Sequence, residues 1–491
     1  MAWTNKSIEK LQRETMKDRP LIVASASEPY VHNYSVKGLV VSKGAGGVIT
    51  ALEPILKTTN STWIAHGRGS ADADVVDEHN KIRVPQRGKS YSLKRLRMSR
   101  RDFRGWYYGF SNETLWPLCH NVFERPVFYE HDWQAYEKVN HYFAEEILKE
   151  AEGKQAIIWI QDYQLSLVGK ILKEKRPDLL ISQFWHIPWP VADVFQICPW
   201  RKEIIEGLLG NKLLGFQKQS DCSNFLDSVS KTLEAKIDYD NMTVTYRDSI
   251  TVVRAFPVGI DFKSILQVSQ KTRKYGKPFT KKYLTSEYEY LFIGADRLDY
   301  TKGLPERIKA IDRFLEKYPE YHKKFAYLGI MVPSRTLIKK YEDLNNEMET
   351  LVANVNYKYR SPKWEPITII KDSLPHNELY NLYRSSNAAL ITSLADGMNL
   401  VAKEYVAAGP DDGVLILSYQ AGAAQELVDA VIINPYDIER LADSIKSAIE
   451  MPRKEKVIRM NRMKDVISNQ NVYRWAGKFL TKLIELSSHN Q

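Results

Sequence analysis

Cysteine is scarce: three residues in 491, Cys119, Cys198 and Cys222, far apart and forming no CxxC pair. That spacing argues against a disulfide framework or a zinc site and fits a reducing compartment. Long apolar runs are also missing. No stretch reaches the roughly 18–20 apolar residues that a membrane helix needs. Residues 1–20 are polar and mixed in charge, without the apolar centre of a secretory signal. There is no low-complexity tract and no internal repeat of solenoid period. The expectation is a soluble, cytoplasmic protein with no membrane association.

What is present fits a globular enzyme-sized chain. Apolar residues make up 44% and charged residues 26%, both ordinary values. The length suggests two domains or three. The net charge is +10, but the basic residues are scattered, apart from a cluster over 94–104. A nucleic-acid track is therefore not expected. Anionic small molecules such as phosphates and nucleotides account for a modest excess equally well.

Short β-rich runs alternate with amphipathic helical patterns, the signature of parallel α/β sheets. In the first half, strands are predicted at 20–24, 62–65, 156–160, 179–184 and 213–216. Helices are predicted at 133–152, 165–175, 200–210 and 219–235. Residues 238–255 read as a hairpin turning at Arg247-Asp248. The second half repeats the alternation, with strands at 288–295, 325–332, 367–370, 388–392, 414–417 and 430–433. Its helices are placed at 305–318, 337–355, 400–408, 438–450 and beyond 457. The fold class is α/β, two Rossmann-like domains facing a deep inter-domain cleft. The predicted domains are 1–257 and 258–471, with a last helix over about 472–491 returning to the first.

Ligands of open α/β sheets sit where strands turn into helices, and two such turns stand out. Asp396-Gly-Met-Asn399 precedes the helix 400–408 and places a carboxylate, exposed amides and a helix N-terminus together. Glu404 follows on its first full turn. Amides with a helix start suit a diphosphate, and two acids suit sugar hydroxyls. Asp296-Arg-Leu-Asp-Tyr-Thr-Lys-Gly303 follows another strand, and there Arg297 and Lys302 supply two cations able to stabilise a leaving diphosphate. In the first half, Asp162 and His186 stand at neighbouring strand ends.

These blocks, with Trp185–Trp200 and the stretch 415–435, resemble the trehalose-6-phosphate synthase family of retaining glycosyltransferases, which have the GT-B fold. The resemblance runs from about residue 21 to 482. It implies transfer of glucose from a nucleotide-glucose donor to a sugar-phosphate acceptor, glucose 6-phosphate, with no cofactor and no metal. Arg297 and Lys302 would hold the diphosphate and Glu404 the ribose. Asp396, with Gly397, Met398 and Asn399, would hold the donor hexose, while Leu400 and Val401 touch phosphate and Leu374 lies near the base. His186 would bond the donor sugar and Asp162 the acceptor hydroxyls. Tyr107, Trp116 and Arg335 would line the acceptor's phosphate pocket, and Gly46-Gly47 would form a flexible loop over the donor. Family members are often homo-oligomers.

One departure matters. The family's first strand usually ends in Ser-Asn-Arg, the arginine meeting the acceptor phosphate; here the chain reads Ser25-Ala-Ser27. Arg68, Arg95 or another cation could take over from Ser27. The acceptor could instead be different, as in a glucosylglycerol-phosphate synthase or a pseudo-sugar coupling enzyme. A third reading is an impaired protein, whether a non-catalytic regulatory binder or an engineered form. Gln164, standing where His is usual, can still hydrogen-bond.

Overall fold

A computed structural model describes residues 3–44, 46–271, 280–284 and 286–488. They form two compact units: Met1–Gly259 with Val472–Gln491, and Ile260–Asn471. The last helix, Val472–Ser488, returns to the first unit, where Trp475 and Phe479 lie 5.1 and 5.0 Å from Trp159 between ring centroids. Residues 489–491 of the anticipated helix lie outside the described residues.

Seven strands of the first unit run parallel. In sheet order they are Ser249–Ala255, Leu213–Phe216, Leu180–Phe184, Ile157–Gln161, Leu21–Ala24, Ser61–His66 and Tyr91–Leu96. Antiparallel strands finish both edges: Lys81–Val84 on one, Thr243–Tyr246 and Lys236–Asp238 on the other. The central strands are buried along their length, as apolar runs covered by helices on both faces must be. Chain order reverses between Leu21–Ala24 and Ile157–Gln161. That pair is the topological switch point, beyond whose C-terminal ends ligands bind in doubly wound sheets.

The second unit repeats the logic with six parallel strands. Their order is Ile367–Ile370, Phe325–Val332, Tyr290–Arg297, Ala388–Ile391, Val414–Ser418 and Val431–Ile433. Here the order reverses between Tyr290–Arg297 and Ala388–Ile391. The two loops singled out in the sequence are the ones that leave these strands.

A tight junction fixes the first loop. Gly303 has φ +58°, and a Cβ there would stand 2.1 Å from the Thr392 carbonyl oxygen. Gly303→Ala is therefore expected to destabilise the second unit by about 2–4 kcal/mol, combining left-handed strain with a backbone clash. The check is a melting curve: a drop of at least about 5 °C is expected, and an unchanged melting temperature would contradict the tight junction.

Two expectations need correction. The basic cluster 94–104 is only partly at the surface: Arg97, Arg100, Arg101 and Arg104 are exposed, whereas Lys94 and Arg95 are buried, paired with Glu146 and with Glu28 and Asp72. Gly47 is not in a loop: it is the first residue of the helix Gly47–Leu56, behind Gly46 at φ +137°.

Candidate active site

The two loops at the second unit's switch point are tied to each other. Arg307, fully buried, donates to Asp296 Oδ2 at 2.8 Å, to the Tyr327 hydroxyl at 3.0 Å and to Thr392 Oγ1 at 3.0 Å. The Thr392 hydroxyl in turn reaches the Gly303 carbonyl at 2.8 Å. Leu394 N–H donates to the Thr301 carbonyl. Asp299, also fully buried, accepts from the Thr301 amide and hydroxyl, capping the short 3-10 turn Tyr300–Lys302. Lys302 is thus presented by a braced turn, which is what preorganised electrostatics requires.

Lys302 Nζ lies 2.5 Å from Asp396 Oδ2, a pair 13% and 14% exposed. Asn399 Nδ2 donates to the same oxygen at 3.1 Å, while Asn399 Oδ1 accepts from the Ala402 amide and caps the helix Leu400–Ala408. Asn399 itself has φ +78°. Among the described residues, nothing accepts from the amides of Gly397, Met398 or Asn399, although all three residues are buried. Amides left free beside a helix start are donors for an acceptor from outside. Leu400 and Val401 follow in the first helical turn, where amides have no intrahelical partner. Arg297, its side chain 44% exposed, stands 3.9 Å from Asp299. Glu404 is 9% exposed on the same helix, and burial pushes its carboxyl up to about 7.

Other predicted residues are placed differently. Arg335, 7% exposed, bonds Asp299 Oδ2 at 2.9 Å and the Tyr341 hydroxyl, so its guanidinium braces the Lys302 turn. Leu374 lies in the loop between strand Ile367–Ile370 and helix His376–Ser385.

At the first unit's switch point, Asp162 leaves its strand at φ +70°. Its carboxylate accepts from the His186 amide at 3.0 Å, joining the two neighbouring strand ends. His186 Nε2–H donates to Gln161 Oε1 at 2.9 Å, which leaves Nδ1 as an acceptor. Burial holds this imidazole down to about 3, so it is neutral at working pH and not a general acid. Ser27 follows the strand Leu21–Ala24, its amide donating to Ser25 Oγ. Tyr107 lies on a π-helical stretch, Arg104–Leu115, and stacks on Phe103 at 5.2 Å. Trp116 comes next in the chain but is only 6% exposed, packed on His120 and Tyr163.

The model for glycosyltransferase family 20 matches residues 18–485 of this chain. The chain belongs to that family. It is a glycosyltransferase, a hexosyltransferase of the trehalose-phosphate synthase group, with the GT-B fold of two Rossmann-like domains. The trehalose-6-phosphate synthase of Mycobacterium marinum is 35% identical, over 98% of this chain and 96% of its own. The E. coli enzyme solved with UDP-2-fluoro glucose superposes with a TM-score of 0.81 at 30% identity, covering 95% and 99% of the two chains. A UDP-forming synthase from Burkholderia xenovorans, solved with glucose-6-phosphate, gives 0.83 at 30%, with the same coverage.

For this glycosyltransferase, sequence reasoning did not find the side-chain bonds that brace these loops. Arg307 and the Asp299–Arg335 pair act across 11 and 36 residues of chain, respectively. The doubled acid in Asp296-Arg-Leu-Asp299 was the only signal for them. Among the described residues no cluster of three or more His, Cys, Asp or Glu side chains could hold a metal ion. No helix there is long and apolar enough to cross a membrane.

Proposed function

We propose that this glycosyltransferase moves glucose from a nucleotide-glucose donor to glucose 6-phosphate with retention, giving α,α-trehalose 6-phosphate. The observation that carries the donor half is the second unit's switch point: two cations, three amides with no acceptor among the described residues and Glu404, all within 297–404. Support for the acceptor comes from the relative solved with glucose-6-phosphate. The bond from the anomeric carbon to the diphosphate breaks as the acceptor's anomeric hydroxyl attacks from the same face. The hydroxyl proton passes to the departing phosphate oxygen. Arg297 and Lys302 meet the charge that appears there, with neither a resident metal nor an enzyme nucleophile. Three buried, free cysteines agree with a cytoplasmic location. No nucleic-acid partner is proposed, and a homo-oligomer would be in keeping with the family.

Ser27 favours one second reading, a related synthase with another sugar-phosphate or polyol-phosphate acceptor. The test is incubation with UDP-, GDP- or ADP-glucose and glucose 6-phosphate, glycerol 3-phosphate or buffer alone. Nucleoside diphosphate release and the anomeric configuration of the product are read. Release only with glucose 6-phosphate, giving an α,α-linkage, is expected. Release only with glycerol 3-phosphate would move the assignment to the second reading, and no release with any pair would end both.

A further inference from the structure

The acceptor proposed above carries a dianionic phosphate, and the first unit's switch point has few charges to meet it. Arg95 is not one of them. It is 3% exposed, with Nη2 2.8 Å from Asp72 Oδ1 and Nε 3.3 Å from Glu28 Oε2, and it also donates to the Asp72 and Tyr30 carbonyls. His32, His66 and His186 are each held below the ordinary imidazole range, chiefly by burial, so they add no charge at neutral pH. Arg97 lies one strand further out, where it donates to the Ala73 carbonyl.

Arg68 is different. It follows the strand Ser61–His66, the immediate neighbour of Leu21–Ala24. The pairing continues past the strand ends, because Ser25 N–H donates to the Ile64 carbonyl at 3.0 Å. The Arg68 amide then donates to Glu28 Oε1 at 2.8 Å, which pins Arg68 to the residue next to Ser27. Its guanidinium is exposed and makes no hydrogen bond or ion pair with any described residue. Tyr108, half-buried on the π-helical stretch, feels this charge: burial and Tyr107 push its phenol up, and Arg68 pulls it back. Glu28 does not oppose an anion here. Burial and Asp72 push its carboxyl up to about 8, so it is largely neutral at pH 7. The Arg95–Asp72 pair balances itself, while the Arg68 guanidinium stays exposed beside it.

We infer that Arg68 is the phosphate-binding, specificity-determining residue for the acceptor. A phosphate takes a guanidinium fork in two parallel bonds. The inference rests on the proposed function for the identity of the acceptor, but its own test is binding rather than turnover.

Glucose 6-phosphate and inorganic phosphate are titrated calorimetrically into the full-length protein and its variants. Arg68→Ala is expected to weaken glucose 6-phosphate binding by about 30-fold or more, while UDP-glucose affinity changes less than about twofold. Arg68→Lys, keeping the charge but losing the fork, should fall between. Ser27→Arg added to Arg68→Ala should recover most of the loss, which a merely structural role of Arg68 would not permit. Wild-type affinity for glucose 6-phosphate in Arg68→Ala would overturn the inference, as would a wild-type protein that binds neither glucose 6-phosphate nor inorganic phosphate. A wild-type protein that binds glucose 6-phosphate through Arg68 yet never transfers glucose to it would sink the proposed reaction and leave the subsite standing.

Discussion

Replacing Arg297 or Lys302 by Ala is expected to lower kcat by about three orders of magnitude, with donor affinity changed about tenfold or less. The asymmetry follows from where the charge develops. A nucleotide-glucose already carries its diphosphate charge in the ground state, and the first-turn amides of Leu400 and Val401 are the donors proposed for it. The additional negative charge forms only as the glycosidic bond breaks, so a cation placed for the leaving group acts on kcat. Lys302 also neutralises Asp396, 2.5 Å away in a pocket where both are about one-seventh exposed. Lys302→Ala therefore removes the ammonium that balances Asp396, and Asp396→Asn in the same background separates that effect from lost catalysis. The double variant should be no worse than the poorer single, because the two cations act on one charge. Steady-state kinetics with the proposed substrates decide it; wild-type kcat in either single variant would refute the assignment.

The elements legible in the sequence are those whose burial follows one simple period. Phe325–Val332, Ile367–Ile370, Leu400–Ala408 and Ile438–Glu450 have the predicted bounds, because an apolar run or an amphipathic stripe closed by Gly, Pro or Asp leaves little freedom. The elements that were not assigned lack such a pattern. The hairpin Tyr30–Ser35 with Gly38–Lys43 is exposed along its second strand, so no alternation marks it. The π-helical stretch Arg104–Leu115 has no 3.6-residue period to find. It is shaped by contact instead: a Cβ at Gly109 would stand 2.3 Å from the Asp132 carboxyl carbon. At the site, Arg297, Lys302, Asp396 and Glu404 were readable because loops after strands announce themselves. The acid partners of Arg95 and Arg335 were not readable, since a pairing with an acid distant in sequence is a property of the folded chain alone.

Donor affinity is expected to fall about tenfold per pH unit as pH drops from 7 to 5, because Glu404, the residue proposed for the ribose, accepts from both hydroxyls only in its ionised form. The sign follows from the cause. Burial disfavours the carboxylate and pushes Glu404 up to about 7 from its ordinary 4.5, so the unliganded protein holds a proton there below neutrality. Binding must release that proton, and acid therefore competes with the donor. The same shift makes Glu404 a group whose folded form binds its proton more tightly than the unfolded chain does. Its contribution to stability is accordingly most favourable below pH about 4.5 and is lost as pH rises to about 7. Binding and stability thus run in opposite directions with pH at this residue, as expected of an acid kept for function. Tyr380 and Tyr383, which feel the Glu404 charge, are themselves pushed far up by burial and do not titrate in this window. His186 is neutral throughout it. The measurement is calorimetric titration of UDP-glucose, whose doubly esterified diphosphate has no proton to lose in this range. Glu404→Gln should bind more weakly at pH 7 and show a flat profile down to pH 5. A flat profile in the wild-type protein would mean that the ribose is held by another group.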